Sequence, residues 1–238
     1  MNKAILFDFG GTLDTNGIHW SEKFRTAYNE ANLGIQLDDF NEAYINAEPQ
    51  MYTEVKRNDD FFTTIQKQAY LQLNYLEKNN NYSFPSSAAE FSKIIAEKCY
   101  KEVLEVTKSV KNLLTELKKK DFKLGVVSNF YGNLESSLKS LEIAHFFDVL
   151  IDSTLVDVRK PDPKIFEIAI NNLKATPEKT AVVGDSYERD VKPAKTFNCK
   201  TIWLDVSSWT KPEETNSADF IVKDIMEIKE IIHKLFPQ

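Results

Sequence analysis

Short apolar runs, each closed by polar residues, mark both ends of the chain and are missing from its middle. Ala4-Ile5-Leu6-Phe7 ends at Asp8, and Lys123-Leu124-Gly125-Val126-Val127 ends at Ser128-Asn129. Val149-Leu150-Ile151, Thr180-Ala181-Val182-Val183 and Thr201-Ile202-Trp203-Leu204 repeat the pattern, with Phe220-Ile221-Val222 as a short sixth run. A strand buried on both faces reads this way, without polar alternation. Between the runs the period becomes helical. Ser109 is expected to cap a helix carrying Val110, Leu113, Leu114 and Leu117 on one face. Asp162-Pro163 reads as N-cap and first helical residue ahead of Phe166, Ala169, Ile170 and Leu173. Thr176-Pro177 repeats that start signal in a short turn before the fourth strand. Strand and helix in alternation predict an α/β fold around a parallel sheet with right-handed crossovers.

From Asn16 to Lys108 the strand runs disappear. Trp20, Phe24, Ala27 and Ala31 make one helical stripe; Phe62, Ile65, Ala69, Leu73 and Leu76 make a second. Phe91, Ile95, Cys99, Val103 and Val106 make a third, opened by a capping box of Ser87 and Glu90. The Asn-rich segment from Glu77 to Phe84 reads as a loop. The expected division is therefore an α/β core of 1–15 and 109–238, with an all-helical insertion at 16–108. These stripes are read as packing. The pair Phe61-Phe62 suits either packing or a helix face turned to a cleft, and Trp209, in the Val206–Thr215 loop, suits a packed anchor or a recognition residue.

Composition narrows the function classes. At 238 residues, 42% hydrophobic and 28% charged, the chain can bury an ordinary core. A formal net charge of -6 argues against a nucleic-acid partner, which calls for clustered Lys and Arg. The run Lys118-Lys119-Lys120 reads as a helix end set favourably against its dipole. Cys99 and Cys199 stand a hundred residues apart with no ligand cluster around them, so they are expected to be small buried residues in a reducing compartment. No signal-peptide pattern and no membrane-spanning apolar stretch is read, so the expectation is a cytoplasmic protein, monomer or homodimer, with no membrane partner.

Ligands of an open parallel sheet bind beyond the carboxyl ends of its strands, so the residues closing each run are the ones to inspect. They are Asp8 with Gly10-Gly11-Thr12, Ser128-Asn129, then Arg159-Lys160-Pro161, and Gly184-Asp185-Ser186 with Asp190 beyond. Carboxylates brought to one point repel unless a cation sits among them, and oxygen-only donors suit Mg²⁺. A phosphoryl group could bridge that cation, its other oxygens held by Lys160 and the Ser128 hydroxyl. The glycine-rich turn after Asp8 lets backbone N–H groups approach an anion. Asp8 would then attack phosphorus as a carboxylate nucleophile.

These motifs resemble those of the haloacid dehalogenase superfamily. Phe7-Asp8-Phe9-Gly10-Gly11-Thr12-Leu13-Asp14 is similar to its first motif, usually Asp-x-Asp-Gly-Thr-Leu, and Val126-Val127-Ser128-Asn129 to its second. Arg159-Lys160-Pro161-Asp162-Pro163-Lys164-Ile165-Phe166 is similar to the third, and Gly184-Asp185-Ser186-Tyr187-Glu188-Arg189-Asp190 to the fourth. The resemblance implies a Rossmann-like core with a helical cap inserted after the first strand, Mg²⁺ as cofactor and a small phosphorylated molecule as partner. It implies Asp8, Lys160 and Ser128 as catalytic residues. Gly11, Thr12, Ser128, Asn129 and Lys160 would bind substrate, and Asp8, Gly10 (through its carbonyl), Asp185 and Asp190 would bind the metal. One position departs from the pattern. Gly10 stands where the family's phosphatases carry a second Asp, which protonates the leaving oxygen and then activates water. Losing a general acid lowers the rate by about 10²–10⁴-fold. The readings are a phosphatase with another proton donor or with substrates that have good leaving groups, a phosphonate-cleaving enzyme needing a cap lysine, a dehalogenase, or a catalytically weak phospholigand- or protein-binding homologue. The dehalogenase branch works without Mg²⁺. Asp14 and His19 are the candidate donors near the core–cap junction, each also readable as a turn, linker, surface or hinge residue.

Overall fold

The computed structural model describes residues 2–207 and 218–236, so the reading of Trp209 lies outside the described residues. The strands are β1 (Asn2–Phe7), β2 (Lys123–Ser128), β3 (Val149–Asp152), β4 (Ala175–Gly184), β5 (Lys200–Leu204) and β6 (Phe220–Val222). They form one parallel sheet in the order β3-β2-β1-β4-β5-β6. The order reverses at β1, the switch point at which such sheets open a crevice. Phe7 pairs with Val126 on one side and Val183 on the other, so Asp8, Ser128 and Asp185 all leave the sheet at this edge.

Alternation along β1 supplies both faces of the core. Ile5 and Phe7 pack on one side in a cluster with Leu113, Leu117, Ile228 and Ile232. Ala4 and Leu6 pack on the other with Ile165, Phe166 and Ile170. The covering helices are α1 (Trp20–Glu30), α2 (Leu37–Glu54), α3 (Phe61–Asn79), α4 (Ala88–Lys119), α5 (Leu134–Ser140), α6 (Ser153–Val156), α7 (Lys164–Asn172), α8 (Lys192–Thr196) and α9 (Ile228–Leu235). α7 starts at Lys164, one residue later than expected, with Pro163 in the N-cap place, and Asp162 Oδ1 accepts from Lys164 N at 2.9 Å. The capping box of Ser87 and Glu90 opens α4. Both cysteines are buried and free. Among the described residues no helix is long and apolar enough to cross a membrane.

Two further local expectations are corrected, and one helix was not expected. Ser109 caps nothing: it lies exposed inside α4, which runs unbroken from Ala88 to Lys119. No Gly or Pro interrupts that stretch, and the apolar stripe continues in phase from Val103 to Val110, so propagation wins over a new start. The Thr176-Pro177 turn falls within the span of β4, where residues 176–179 bulge between the pairings Asn2 to Ala175 and Ala4 to Thr180. Finally, α2 was unforeseen. Two of its four buried positions, Ala43 and Ala47, are small, so the stripe they make with Phe40 and Met51 is faint, and Pro49 breaks the helical pattern.

The α1–α3 layer meets the sheet at the strand ends. Phe61, the first residue of α3, packs on Phe9 with ring centroids 4.9 Å apart and lies 6.4 Å from the Phe130 ring. The Phe61-Phe62 pair thus divides: Phe61 turns to the cleft, and Phe62 packs on Tyr100 at 5.6 Å.

Candidate active site

Backbone geometry at the end of β1 brings the carboxylates together. The Asp8 N–H donates to the Val183 carbonyl at 2.9 Å, and the chain then coils through Phe9–Leu13 with non-helical backbone at Gly10 and Gly11. Gly11 takes φ of +98°, and a Cβ there would lie 2.5 Å from Asp185 Oδ2. Only glycine permits both the left-handed backbone and that approach. Gly184 permits the same close approach, without the left-handed backbone, for Asp190, whose carboxylate would lie 2.3 Å from an added Cβ.

The result is a buried ionic cluster. Ligand oxygens of Asp8, Asp185 and Asp190 all lie within 4.8 Å of one another. Lys160 Nζ donates to Asp8 Oδ1 and to Asp190 Oδ1, both at 2.6 Å. Asp8 and Asp185 are 7% exposed, Lys160 5% and Asp190 1%. Burial works against the lysine's charge, but Asp190 and Asp8 more than offset it and hold its pKa above the ordinary value. Burial, then the charges of Asp8 and Asp190, pushes the Asp185 carboxyl well up. Burial raises Asp190 to about 6 against the pull of Lys160. One ammonium cannot balance three ionised carboxylates. A hard divalent cation would, and the all-oxygen donor set fits Mg²⁺.

The remaining expected residues occupy distinct positions. Ser128 lies buried at the end of β2. Thr12 Oγ1 donates to Asp185 Oδ1 at 3.2 Å and accepts from Asp185 N at 3.1 Å, so its hydroxyl holds Asp185 by both backbone and carboxylate. The Asn129 carboxamide clamps the Lys160 backbone, accepting from its N–H at 2.9 Å and donating to its carbonyl at 3.0 Å. That clamp aims the lysine. Asp14 is fully buried and accepts from Gly11 N and Trp20 Nε1, both at 2.7 Å. Burial raises its pKa to about 7 despite the two donors, of which Trp20 opposes it more. His19 caps α1 through Ser21, and burial, then the charge of Arg189, lowers its pKa to about 4. Trp203, unnoticed in the sequence, donates its Nε1 to the Asp185 carbonyl at 2.9 Å.

Beside the cluster lies a cavity of about 350 Å³. Gly10, Asn129 and Phe130 line it from the strand ends, and Trp20, Glu48 and Gln68 from the helices.

A model of the haloacid dehalogenase-like hydrolase family matches residues 5–204. The chain belongs to this family. It is 30% identical over 117 residues to a phosphoserine phosphatase of Thermus thermophilus, covering 48% of this chain and 46% of that protein. It is 34% identical over 125 residues to a glyceraldehyde 3-phosphate phosphatase of Methanothermobacter thermautotrophicus, covering 50% and 55% respectively. The chain thus spans about half the length of these curated relatives. The L-2-haloacid dehalogenase of Xanthobacter autotrophicus, solved with chloropropionic acid covalently bound, aligns with a TM-score of 0.63 at 18% identity, over 98% of this chain and 99% of that one. That likeness is one of fold. Against the family's first motif, Gly10 is not compelled by sterics. Its φ is -72°, and an added Cβ would meet nothing nearer than Trp20 Cδ1 at 3.9 Å.

Proposed function

We propose that this family member is a Mg²⁺-dependent, phosphatase-like hydrolase of small phosphorylated molecules, acting through an aspartyl phosphate on Asp8. The observation that carries the reading is the buried set of Asp8, Asp185 and Asp190 around Lys160. Asp8, Asp185, Asp190 and the Gly10 carbonyl would hold the ion, which when bound supplies charge neutralisation at the phosphoryl oxygens. Lys160 holds Asp8 Oδ1 at 2.6 Å, and among the described residues no hydrogen bond engages Oδ2. Oδ2 is therefore the attacking oxygen. As it bonds to phosphorus, the bond to the leaving oxygen breaks and its electron pair departs with the leaving group. Water then attacks phosphorus, releasing phosphate and restoring Asp8. Ser128, Lys160 and the N–H groups of Thr12 and Asn129 bind the phosphoryl oxygens, with Gly11, whose own N–H is held by Asp14, shaping the turn that brings them close. Residues 16–108 serve as the cap over this centre, and the core comprises 1–15 and 109–238. Two buried free cysteines suit a cytoplasmic protein, acting as monomer or homodimer.

With Gly10 offering no proton, good leaving groups such as acyl phosphates are favoured. Among the described residues no lysine lines the cavity, which weakens a phosphonate-cleaving reading that needs one to form a Schiff base. A dehalogenase reading draws on Gly10 but leaves the cation-binding carboxylates without a use. The test is hydrolysis of acetyl phosphate and p-nitrophenyl phosphate with and without Mg²⁺. Wild type is expected to turn over acetyl phosphate only with Mg²⁺, and Asp8→Asn to lose about 10⁴-fold or more. Gly10→Asp, which the free space accommodates, should gain about 10²-fold on the ester. Equal rates for wild type and Asp8→Asn would overturn the reading.

A further inference from the structure

The cavity beside Gly10 carries two opposite charges that do not pair. Glu48, on α2, keeps its carboxylate among neutral donors: the Tyr131 hydroxyl lies 3.0 Å from each oxygen, and Gln68 Nε2 donates to Oε2 at 3.3 Å. Arg189, from the turn joining Asp185 to Asp190, lines the same cavity. Among the described residues neither side chain forms an ion pair. They nonetheless sense each other. Burial pushes the Glu48 carboxyl up, while the Tyr131 hydrogen bond, then Arg189 and Arg159, draw it back. Arg159 is engaged elsewhere, bonded to the Tyr52 hydroxyl at 2.7 Å and stacked on its ring. Tyr44, in the cavity wall, feels Glu48, Arg189 and Asp185 together, which sets the cavity alongside the carboxylate cluster.

A carboxylate in a half-buried, aromatic-walled space is poorly solvated, and a cation is the ligand that relieves it. Arg189 is exposed at the mouth of that space, and its guanidinium offers a planar fork of donors that a carboxylate entering the cavity would match. One ligand carrying both charges matches both groups. We infer that the cavity receives the leaving portion of the substrate, and that this portion is zwitterionic: an ammonium read by Glu48 and a carboxylate read by Arg189, as in a phosphorylated α-amino acid. The inference rests on Asp8 as the phosphoryl-accepting centre and names the substrate class for it. A volume of about 350 Å³, at the small end of ligand pockets, suits a group of that size.

The test is calorimetric binding to the Asp8→Asn chain with Mg²⁺, using four probes. O-Phosphoserine carries both charges, 3-phosphoglycerate replaces the ammonium by hydroxyl, phosphoethanolamine lacks the carboxylate, and propyl phosphate lacks both. O-Phosphoserine is expected to bind at least about tenfold tighter than either singly matched probe. Adding Glu48→Gln should bring it level with 3-phosphoglycerate, and adding Arg189→Gln, at an exposed position, level with phosphoethanolamine. Equal affinity for all four probes, or a preference untouched by both substitutions, overturns the inference. Acetyl phosphate turnover by wild type, measured in parallel, separates the two readings. Turnover without the binding preference removes the zwitterion and keeps the hydrolase. The preference without turnover keeps the pocket and removes the hydrolase.

Discussion

The carboxylate cluster and the cavity beside it share a border at Gly10 and Asn129 but are assembled by different means. The cluster is placed by backbone. Asp8, Ser128 and Asp185 each leave a parallel strand, and hydrogen-bonded register sets them at one edge. Glycines at 11 and 184 then let the chain close to distances no Cβ would allow. The cavity is placed by side-chain packing: Trp20 of α1, Glu48 of α2, Gln68 of α3 and Tyr131 beyond β2 meet without a shared backbone ladder. A site built on sheet register holds its geometry against most substitutions, because dozens of peptide groups define it. A site built on packed side chains is retuned by changing one of them. On the proposed reading, the first suits chemistry and the second selectivity.

This contrast can be broken or sharpened by experiment. The largest effect is expected in the cluster. Lys160→Met leaves three buried carboxylates facing one another, and should destabilise the fold by about 3–5 kcal/mol in urea unfolding with chelator present. Mg²⁺ should then restore more stability to the variant than to wild type; an unchanged urea midpoint would show that the lysine does not balance the cluster. Asp14 links the two regions, and its effect depends on pH. Its folded pKa of about 7 lies above the ordinary 3.8, so the folded chain holds this proton more tightly than the unfolded one. The resulting stability is complete below the ordinary value and is lost as pH rises towards the folded value, by at most about 1.4 kcal/mol per pH unit. Unfolding midpoints of wild type should thus decline relative to Asp14→Asn across that window and run parallel above it. Parallel profiles throughout would mean that the carboxyl ionises freely. The smallest effect belongs to the cavity: Tyr131→Phe removes the hydroxyl bonded to Glu48 and should lose about 1 kcal/mol. A loss as large as that of Lys160→Met would show that the cavity is as tightly coupled as the cluster.

Legibility in the sequence follows the same divide. Every strand run appears in the sheet, and the residues closing those runs converge, because a strand buried on both faces leaves a compositional trace and its end is marked by the first polar residue. Thr12 and Asn129 follow the ends of β1 and β2 as the pattern implies, but their side chains hold Asp185 and Lys160, and spacing alone carries no sign of which way a hydroxyl or carboxamide turns. Glu48 had no signal at all. It lies on a helix whose buried face has two small residues, Ala43 and Ala47, among its four, and its partners Gln68 and Tyr131 come from distant parts of the chain.

By itself the sequence determined the alternation of strand and helix, the helical insertion, and the carboxylates and lysine waiting at the strand ends. These are local properties: each depends on the identity and period of residues within a few positions of one another. Tertiary structure alone decided that Asp14 is buried between Gly11 and Trp20, that α4 runs as one helix beneath both layers, and that Glu48 and Arg189 share a cavity. Burial and charge separation depend on which distant surfaces pack together, and that is a property of the whole fold.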